Sequence, residues 1–369
     1  MKKTIVFLGL IFSILAFFLG YALNTSQSPN TTNTTSKQTF HWKLVTTWPP
    51  NFPIFQTGIE KFAKDIELMS DGHLKIQVFA GGELVPALQT FDAVSQGAIQ
   101  MGHGASYYWA GKVPAVQFMS AVPFGMTAKG MNAWLYYGDG LKLWREMYEP
   151  FNLIPFPTGN SGVQMGGWFK KKIASVADLK GLKMRIPGLG GKVLAKAGGT
   201  PILLSGGELY TALERGIIDA TEWAGPYHDK RLGLYRAAKY YYYPGWHEPG
   251  TTLELIINRT AWKTLPEYLQ KIVEIAATAL NQKMFAEFEA LNIKALRELQ
   301  EKYHVKVLEF PPEVINKLKQ LTVETLDEEA AKNADFKKVY EAYKQFQNDN
   351  RAWNAISDDA YSKALNLSK

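Results

Sequence analysis

The sequence contains no cysteine among its 369 residues. This absence excludes disulfides, thiolate metal sites, a cysteine nucleophile and a lipid anchor attached to a cysteine. Histidine is also scarce, and the six histidines include no pair at the helical spacing of zinc ligands. A thiolate centre or a helical two-histidine metal centre is therefore not expected.

Several nucleotide-binding and catalytic motifs are missing as well. The glycine-rich segment at residues 188–192 fails as a phosphate loop, because Ile186 and Val193 stand where a glycine and a Ser or Thr are needed. Val193 also breaks a dinucleotide fingerprint, and no G-x-S-x-G nucleophile turn occurs. The net charge of +7 is spread along the chain, so no nucleic acid partner is expected.

The N-terminal region has the pattern of an export signal. Two lysines precede an apolar run at residues 5–19, and a small-x-small cleavage site ends at Ala22. Residues 1–22 are therefore predicted to be a signal peptide, with an uncleaved signal anchor as the alternative. Residues 23–39 are predicted to form a disordered polar linker. The globular part is expected outside the cytoplasmic membrane, in the periplasm or on the outer face of that membrane.

The remaining sequence alternates strand and helix patterns, which predicts an α/β fold. The alternation occurs twice between residues 42 and 105 and is typical of a parallel-type sheet. A second α/β unit is predicted downstream, with strands at residues 161–169, 182–186, 200–204 and 218–223. The apolar strand predicted at residues 252–258 is long enough to lead back to the first unit.

Long helices are predicted near the C-terminus, where apolar residues recur at helical spacing from residue 266 onward. Phe336, Tyr340 and Tyr343 belong to a second apolar stripe near the end. Core packing is the first interpretation of these stripes, and pairing of two chains into a homodimer through the C-terminal helices is the alternative.

Arg185 is the strongest candidate for a binding residue. It lies in the segment GLKMRIPG between Met184 and Ile186, with Pro187 and Gly188 ending the predicted strand. A planar guanidinium holds both oxygens of a carboxylate, and a charged residue in apolar surroundings needs a partner. Arg185 is therefore predicted to clamp a ligand carboxylate, with a structural ion pair as the alternative.

Three further side chains and one backbone carbonyl offer oxygen atoms to a ligand or a cation. Glu222 is predicted at a strand end beside Trp223, whose backbone carbonyl is a neighbouring oxygen, and strand ends are where α/β sheets place ligand groups. Glu248 lies in an aromatic turn, and Gln164 supplies an uncharged oxygen. The alternatives are a solvated loop for Glu222, a surface turn for Glu248 and a core hydrogen bond for Gln164.

Three segments of the chain carry a resemblance to a known family. They read DLKGLKMRIPG, GGELYTALERGIIDATEWAGPYHD and YYYPGWHEPGTTLELIIN. At these motifs the chain resembles the extracytoplasmic solute-binding proteins of tripartite ATP-independent periplasmic (TRAP) transporters, in the branch that binds 2-oxo and 2-hydroxy acids. The resemblance runs from about residue 40 to near residue 350.

The resemblance implies a two-lobed periplasmic-binding-protein-like fold, with crossing hinge strands and long C-terminal helices. The implied domains are lobe 1 at residues 40–160, lobe 2 at residues 161–251, and a crossover strand with C-terminal helices at residues 252–369. The family's carboxylate arginine falls on Arg185, and a polar ligand contact falls on Asn160. A bridging cation, sodium or calcium, would be held by Gln164, Glu222 and the Trp223 carbonyl, with Glu248 as a further contact.

These observations predict a binding protein rather than an enzyme. It is expected to capture a small monocarboxylate with an oxygen on C2, such as pyruvate or lactate, and to deliver it to TRAP membrane permease subunits. The competing hypothesis is a secreted metal-dependent hydrolase or lyase that uses Glu222 or Glu248 as its base. A sensor domain that acts through a separate partner is a third hypothesis.

Overall fold

Two mixed β-sheets, each covered by helices, organise the part of the chain that the computed structural model describes, residues 38–366. The predicted signal peptide and nearly all of the predicted polar linker lie outside these residues. The strands are β1 Phe40–Thr46, β2 Leu74–Phe79, β3 Met101–Gly104, β4 Leu153–Asn160, β5 Gly167–Phe169, β6 Lys183–Arg185, β7 Thr200–Ile202, β8 Ala220–Thr221, β9 Tyr240–Tyr243, β10 Thr252–Asn258 and β11 Lys306–Glu309.

The helices fall into short connectors between strands and a group of longer helices after β10. The α-helices are α1 Phe55–Met69, α2 Thr90–Ser95, α3 Ala128–Tyr137, α4 Gly140–Tyr148, α5 Gly188–Lys196, α6 Leu209–Glu214, α7 Pro226–Leu232, α8 Leu234–Ala237, α9 Arg259–Thr264, α10 Glu267–Glu301, α11 Pro312–Lys332, α12 Ala334–Ile356 and α13 Asp358–Asn366. Over residues 38–366, no helix combines the length and the hydrophobicity needed to cross a bilayer.

The first sheet has the strand order β2-β1-β3-β10-β4. Strands β1, β2 and β3 pair in parallel, as the strand and helix alternation predicted. Strand β10 runs antiparallel between β3 and β4, which makes the sheet mixed rather than parallel. All seven residues of β10 are buried, because sheet neighbours lie on both of its edges and helices cover its faces.

The second sheet has the strand order β11-β9-β5-β8-β6-β7. Strand β6 pairs in parallel with β7 and β8, while β5 is antiparallel to β8 and β9. Tyr241 and Tyr242 of β9 are buried and pack in the core, whereas Tyr243 is 41% exposed. Strand β9 thus belongs to the core of this sheet.

Two predicted strands are much shorter in the structure. Only Gly167–Phe169 of residues 161–169 is a strand, and only Ala220–Thr221 of residues 218–223. The first shortening has a backbone cause, since Gly162 has a φ of 71°, which an extended strand does not use. The residues that precede β5 and follow β8 therefore form loops, and Gln164 and Glu222 lie on those loops.

Helix α10 links the two sheets. It packs against β4 of the first sheet and against α7, which follows β8 of the second sheet. Its buried residues include Met284 and Phe288, which belong to a core cluster shared with Trp48 and Trp223. The 35-residue length of α10 lets one helix contact elements of both lobes.

The apolar stripe near the C-terminus packs inside its own chain. Phe336, Tyr340 and Tyr343 of α12 are buried, and their rings contact Phe118 of the first lobe. The core-packing interpretation therefore applies to these three residues. A partner chain cannot use the same side chains without opening this core.

Candidate ligand and cation site

Arg185 and Glu222 form a buried ion pair between two neighbouring strand ends. Arg185 is the last residue of β6, and Glu222 directly follows β8, which pairs with β6 in parallel. The register places Arg185 opposite Thr221, so the two side chains leave the same edge of the sheet. Arg185 Nη1 donates to Glu222 Oε1, and the side chains are 1% and 0% exposed.

The remaining donors of Arg185 are directed at oxygens around it. Its Nε donates to the Leu204 carbonyl at 3.2 Å, and Nη2 donates to the Tyr108 hydroxyl at 3.3 Å. The guanidinium also lies over the Trp223 ring, 5.1 Å from its centroid, in a cation–π contact. Arg185 is thus held in place by contacts from both lobes.

Glu248 and Gln164 form the second half of the site. Glu248 Oε2 accepts hydrogen bonds from Gln164 Nε2 at 2.8 Å, from Thr251 Oγ1 at 2.6 Å and from Tyr107 OH at 3.4 Å. The Gln164 backbone N–H also donates to the Glu248 carbonyl at 3.1 Å. Both side chains are almost fully buried, so the surface-turn alternative for Glu248 does not apply. Glu222 is buried as well, so its solvated-loop alternative does not apply either.

The electrostatic environment couples these groups. Burial, together with repulsion from Glu222, raises the pKa of Glu248 to about 7. Burial opposes the charged form of Arg185, but attraction to Glu222 and to the neighbouring acid groups outweighs it and raises the pKa of Arg185 above its ordinary value. Burial likewise raises the pKa of Tyr108 to about 12. The site therefore holds a fixed guanidinium charge beside two acidic groups.

Several polar atoms of this cluster have no hydrogen-bond partner within residues 38–366. They are Glu222 Oε2, Gln164 Oε1, the Trp223 indole N–H and both ring nitrogens of His247. Buried polar atoms are nearly always paired, because leaving one unpaired costs about 1–3 kcal/mol. Unpaired polar atoms concentrated in one place indicate a site that completes its bonding with a ligand or a cation.

Three residues of the cluster were not predicted from the sequence. Tyr107 and Tyr108 follow β3 of the first lobe and reach Glu248 and Arg185 of the second. His247 Nε2 lies 3.5 Å from Glu222 Oε2. The sequence signal that could have identified the two tyrosines was their position after the end of a predicted strand. For His247 it was its position next to Glu248.

Asn160 does not join the ion-pair cluster directly. It is fully buried at the end of β4, and its Nδ2 donates to the Gly250 carbonyl and to Thr252 Oγ1, both at 3.2 Å. Its Oδ1 accepts from the Gly162 N–H at 2.8 Å. In the structure, the hydrogen bonds of Asn160 therefore connect the start of β10 with the loop that contains Gln164.

Aromatic rings and a small cavity border the cluster. Trp223 meets Trp48, Phe52 and Phe55 of the first lobe at centroid distances of 6.1, 6.1 and 6.2 Å. A cavity of about 290 Å³ lies beside Tyr107 and Tyr108. Another, of about 270 Å³, lies between α1 and α10, and none of the cluster residues lines it. The polar groups, rather than cavity size, therefore locate the site.

The sequence matches a known protein family over most of the described residues. Residues 44–333 match the model of the bacterial extracellular solute-binding proteins of family 7, the DctP family. The chain belongs to this family. Its members are transport receptors rather than enzymes, so family membership does not support the hydrolase or lyase hypothesis.

Individual relatives agree with the family assignment over nearly the whole chain. A monocarboxylate 2-oxoacid-binding periplasmic protein of Nostoc sp. is 46% identical, over 92% of this chain and 93% of the relative. A TRAP periplasmic solute-binding protein of Pseudoalteromonas atlantica, solved with bound sodium and pyruvate, is 46% identical with a TM-score of 0.86, covering 88% of this chain and 99% of the other.

A third relative adds a different cation. A TRAP solute-binding protein of Bordetella bronchiseptica, solved as a mixed-occupancy dimer with copurified calcium and picolinate, is 39% identical. Its TM-score is 0.88, covering 90% of this chain and 98% of the other. The two-lobed periplasmic-binding-protein-like fold predicted from the sequence is confirmed, as is the predicted role of an extracytoplasmic TRAP solute-binding protein.

Proposed function

We propose that this protein captures a small 2-oxo or 2-hydroxy monocarboxylate, of the pyruvate or lactate type, through Arg185 and a bridging sodium or calcium ion. Two buried oxygen atoms next to a buried arginine carry the proposal. They are Glu222 Oε2 and Gln164 Oε1, and neither has a hydrogen-bond partner in the described residues. The guanidinium of an arginine binds both oxygens of a carboxylate. The two unpaired oxygens are suitable ligands for a hard cation.

The residues present fit a hard cation. Gln164, Glu222 and the Trp223 carbonyl offer uncharged and charged oxygens of the kind that sodium and calcium prefer, and Glu248 adds a further carboxylate. A cation would neutralise the carboxylate charge that accumulates when a ligand anion joins Glu222 and Glu248. The bound sodium and pyruvate of the Pseudoalteromonas relative, and the copurified calcium and picolinate of the Bordetella relative, support this assignment of ligand and cation class.

Arg185 has a specific task in this proposal. In the structure Arg185 is paired with Glu222, so part of the hydrogen-bonding capacity of its guanidinium is already used. A cation that attracts the Glu222 carboxylate would compete with Arg185 for it, and the guanidinium would then turn to the carboxylate of the ligand. Tyr108, which accepts from Nη2, and Asn160, at the end of β4, are proposed as further polar contacts to the ligand.

The lobes are proposed to close over the ligand about the segments that connect them. The proposed boundaries are residues 40–160 for lobe 1, residues 161–251 for lobe 2, and residues 252–369 for the crossover strand and C-terminal helices. Gly166, Gly167 and Gly250 lie on the connecting segments, and Gly167 has a φ of 117°, which favours glycine. X-ray scattering with and without pyruvate tests closure, and identical radii of gyration would contradict it.

Two further features are proposed, an export signal at residues 1–22 and a homodimer contact on the C-terminal helices. Residues 1–22 direct export, as a cleaved signal peptide or as a retained anchor, and intact mass of the protein from its native membrane fraction distinguishes the two. A homodimer would form through the C-terminal helices, where Trp353, Ile356 and Tyr361 are 57%, 75% and 67% exposed. Light scattering at high concentration tests the dimer, and a monomer mass would contradict it.

Calorimetry with pyruvate tests the binding function itself. Pyruvate should bind in sodium or calcium buffer and at least tenfold more weakly in buffer that contains only organic cations. Glu222→Gln should weaken binding by a similar factor, whereas Glu254→Gln, a buried carboxylate outside the site, should not. Pyruvate should be recovered unchanged after incubation. Equal affinity with and without inorganic cations would refute the bridging ion.

A further inference from the structure

A buried histidine extends the site beyond oxygen donors. His247 is 1% exposed, and both of its ring nitrogens lack a hydrogen-bond partner within residues 38–366. A buried imidazole normally makes at least one hydrogen bond, as His103 does with Trp48 Nε1 and the Thr158 carbonyl. Within the described residues His247 therefore lacks the hydrogen bonds that a structural histidine makes.

The imidazole points into the acidic part of the site. His247 Nε2 lies 3.5 Å from Glu222 Oε2, an oxygen that also has no hydrogen-bond partner in the described part of the chain. One ligand atom from each of Glu222, His247 and Glu248 lies within 4.8 Å of the other two. Two ligands of a tetrahedral zinc ion, each about 2.1 Å from the metal, lie about 3.4 Å apart. The observed separation is thus close to that of two ligands on one small metal ion.

The backbone around His247 leaves room for this placement. Gly190 of α5 faces His247, and a Cβ added at Gly190 would lie 2.9 Å from His247 Cβ. Any larger residue at position 190 would push the imidazole away. The α5 glycine therefore permits the close approach of His247 to the strand ends that carry Arg185 and Glu222.

We propose that His247 is a nitrogen ligand of this site, and that the site therefore accepts first-row transition cations such as Co²⁺ and Zn²⁺ as well as sodium or calcium. Imidazole suits these cations, whereas sodium and calcium take oxygen ligands almost exclusively. Two carboxylates and one imidazole form a donor set of the kind found in transition-metal centres. The inference rests on the proposed cation-dependent capture of a monocarboxylate at the same site.

Cobalt is the probe for this inference because its visible absorption reports the ligand geometry. Untagged protein stripped of metal is titrated with Co²⁺ and, separately, with Ca²⁺, each with and without pyruvate. Wild type should bind one Co²⁺ per chain with visible bands, and His247→Gln should bind Co²⁺ at least tenfold more weakly. His41→Gln and His304→Gln, which alter exposed histidines, should match wild type.

The titrations with calcium distinguish a failure of this inference from a failure of the proposed binding function. Circular dichroism and the urea midpoint, compared with those of wild type, show whether His247→Gln is folded, and pyruvate binding by wild type in calcium shows whether the proposed function holds. Equal Co²⁺ affinity in wild type and His247→Gln, or no Co²⁺ binding in a wild type that binds calcium and pyruvate, overturns the inference alone. Absence of pyruvate binding in both calcium and sodium overturns the proposed function.

A second measurement works on wild type and does not depend on the variant. Cobalt-loaded wild type should give a hyperfine-shifted, exchangeable imidazole N–H signal in proton NMR, from the ring nitrogen that does not bind the metal. If His247→Gln fails to fold, this signal still supports the imidazole ligand. Its absence from a cobalt-loaded wild type contradicts it.

Discussion

Glu222 and Asp229 are two carboxylates of the same lobe, both buried, yet their surroundings differ. Asp229 of α7 accepts from Trp168 Nε1 at 3.0 Å, from Tyr241 OH at 2.7 Å and from the Ala224 N–H at 3.3 Å, so both of its oxygens are paired. Glu222 pairs one oxygen with Arg185 and leaves the other without a partner in the described residues.

The comparison shows that burial alone does not mark a ligand site. Glu254 of β10 resembles Asp229, since its two oxygens accept from Trp109 and from Tyr148, the latter at 2.8 Å. Both of these carboxylates bind neutral donors that hold elements of one lobe together. Glu222 instead lies beside the Arg185 guanidinium and has one carboxylate oxygen without a hydrogen-bond partner in the described residues.

The largest expected effect concerns the ion pair. Arg185→Met leaves the Glu222 charge buried and uncompensated, so the free energy of unfolding should fall by about 3–5 kcal/mol. Asp229→Asn removes only hydrogen bonds to neutral donors and should cost about 1–3 kcal/mol. Urea unfolding of the ligand-free proteins, followed by tryptophan fluorescence, measures both. Equal losses would erase the distinction between the two carboxylates.

Ligand binding should stabilise the folded protein by mass action. Pyruvate at a hundredfold excess over its dissociation constant, with calcium present, should raise the free energy of unfolding by about 2.7 kcal/mol. Asp229→Asn should show the same gain, because its carboxylate lies outside the proposed site. Glu222→Gln, at the same pyruvate concentration, should gain much less. A full gain in Glu222→Gln would remove Glu222 from the site.

A conservative change at Arg185 separates charge from geometry. Arg185→Lys keeps the positive charge beside Glu222 but loses the planar fork that holds two carboxylate oxygens. Pyruvate affinity should fall at least tenfold, which is about 1.4 kcal/mol. Calorimetry measures the dissociation constant, with Lys183→Arg, an exposed position on the same strand, as the control. Unchanged affinity would show that the carboxylate binds elsewhere.

Measured per pH unit, the smallest effect concerns the paired carboxylates. Burial raises the pKa of Glu254 to about 7, while an unfolded glutamate titrates near 4.3. Because the native state then holds the proton more tightly, this group stabilises the fold below about pH 4 and loses that contribution as pH rises to about 7. Glu254→Gln should reduce the fall in stability over this range, by at most about 1.4 kcal/mol per pH unit.

Urea unfolding at several pH values between 4.5 and 8 measures this slope. Asp229, whose pKa burial also raises to about 7, contributes to the same range and should keep part of the slope in Glu254→Gln. An unchanged slope in Glu254→Gln would show that this carboxylate is ionised throughout. Glu254→Gln should leave pyruvate affinity unaltered, which keeps the effect distinct from the site.

The sequence by itself predicted the fold class, the family resemblance and the local signals. The alternation of strand and helix patterns predicted α/β units. Ser175 and Asp178 have the spacing of a capping box, and they form one in the structure. Periodicity and capping are local properties, so they are readable from the chain alone. Long motifs in a fixed order supplied the resemblance to the TRAP solute-binding proteins.

Only the tertiary structure decided which residues meet. It paired Arg185 with Glu222, brought Tyr107 and Tyr108 from the other lobe to the same place, and turned His247 toward Glu222. It also inserted β10 antiparallel into the first sheet and buried the stripe that includes Phe336 in its own core. Such contacts join residues far apart in the chain, and a pattern of spacing contains no information about which distant partner satisfies a buried charge.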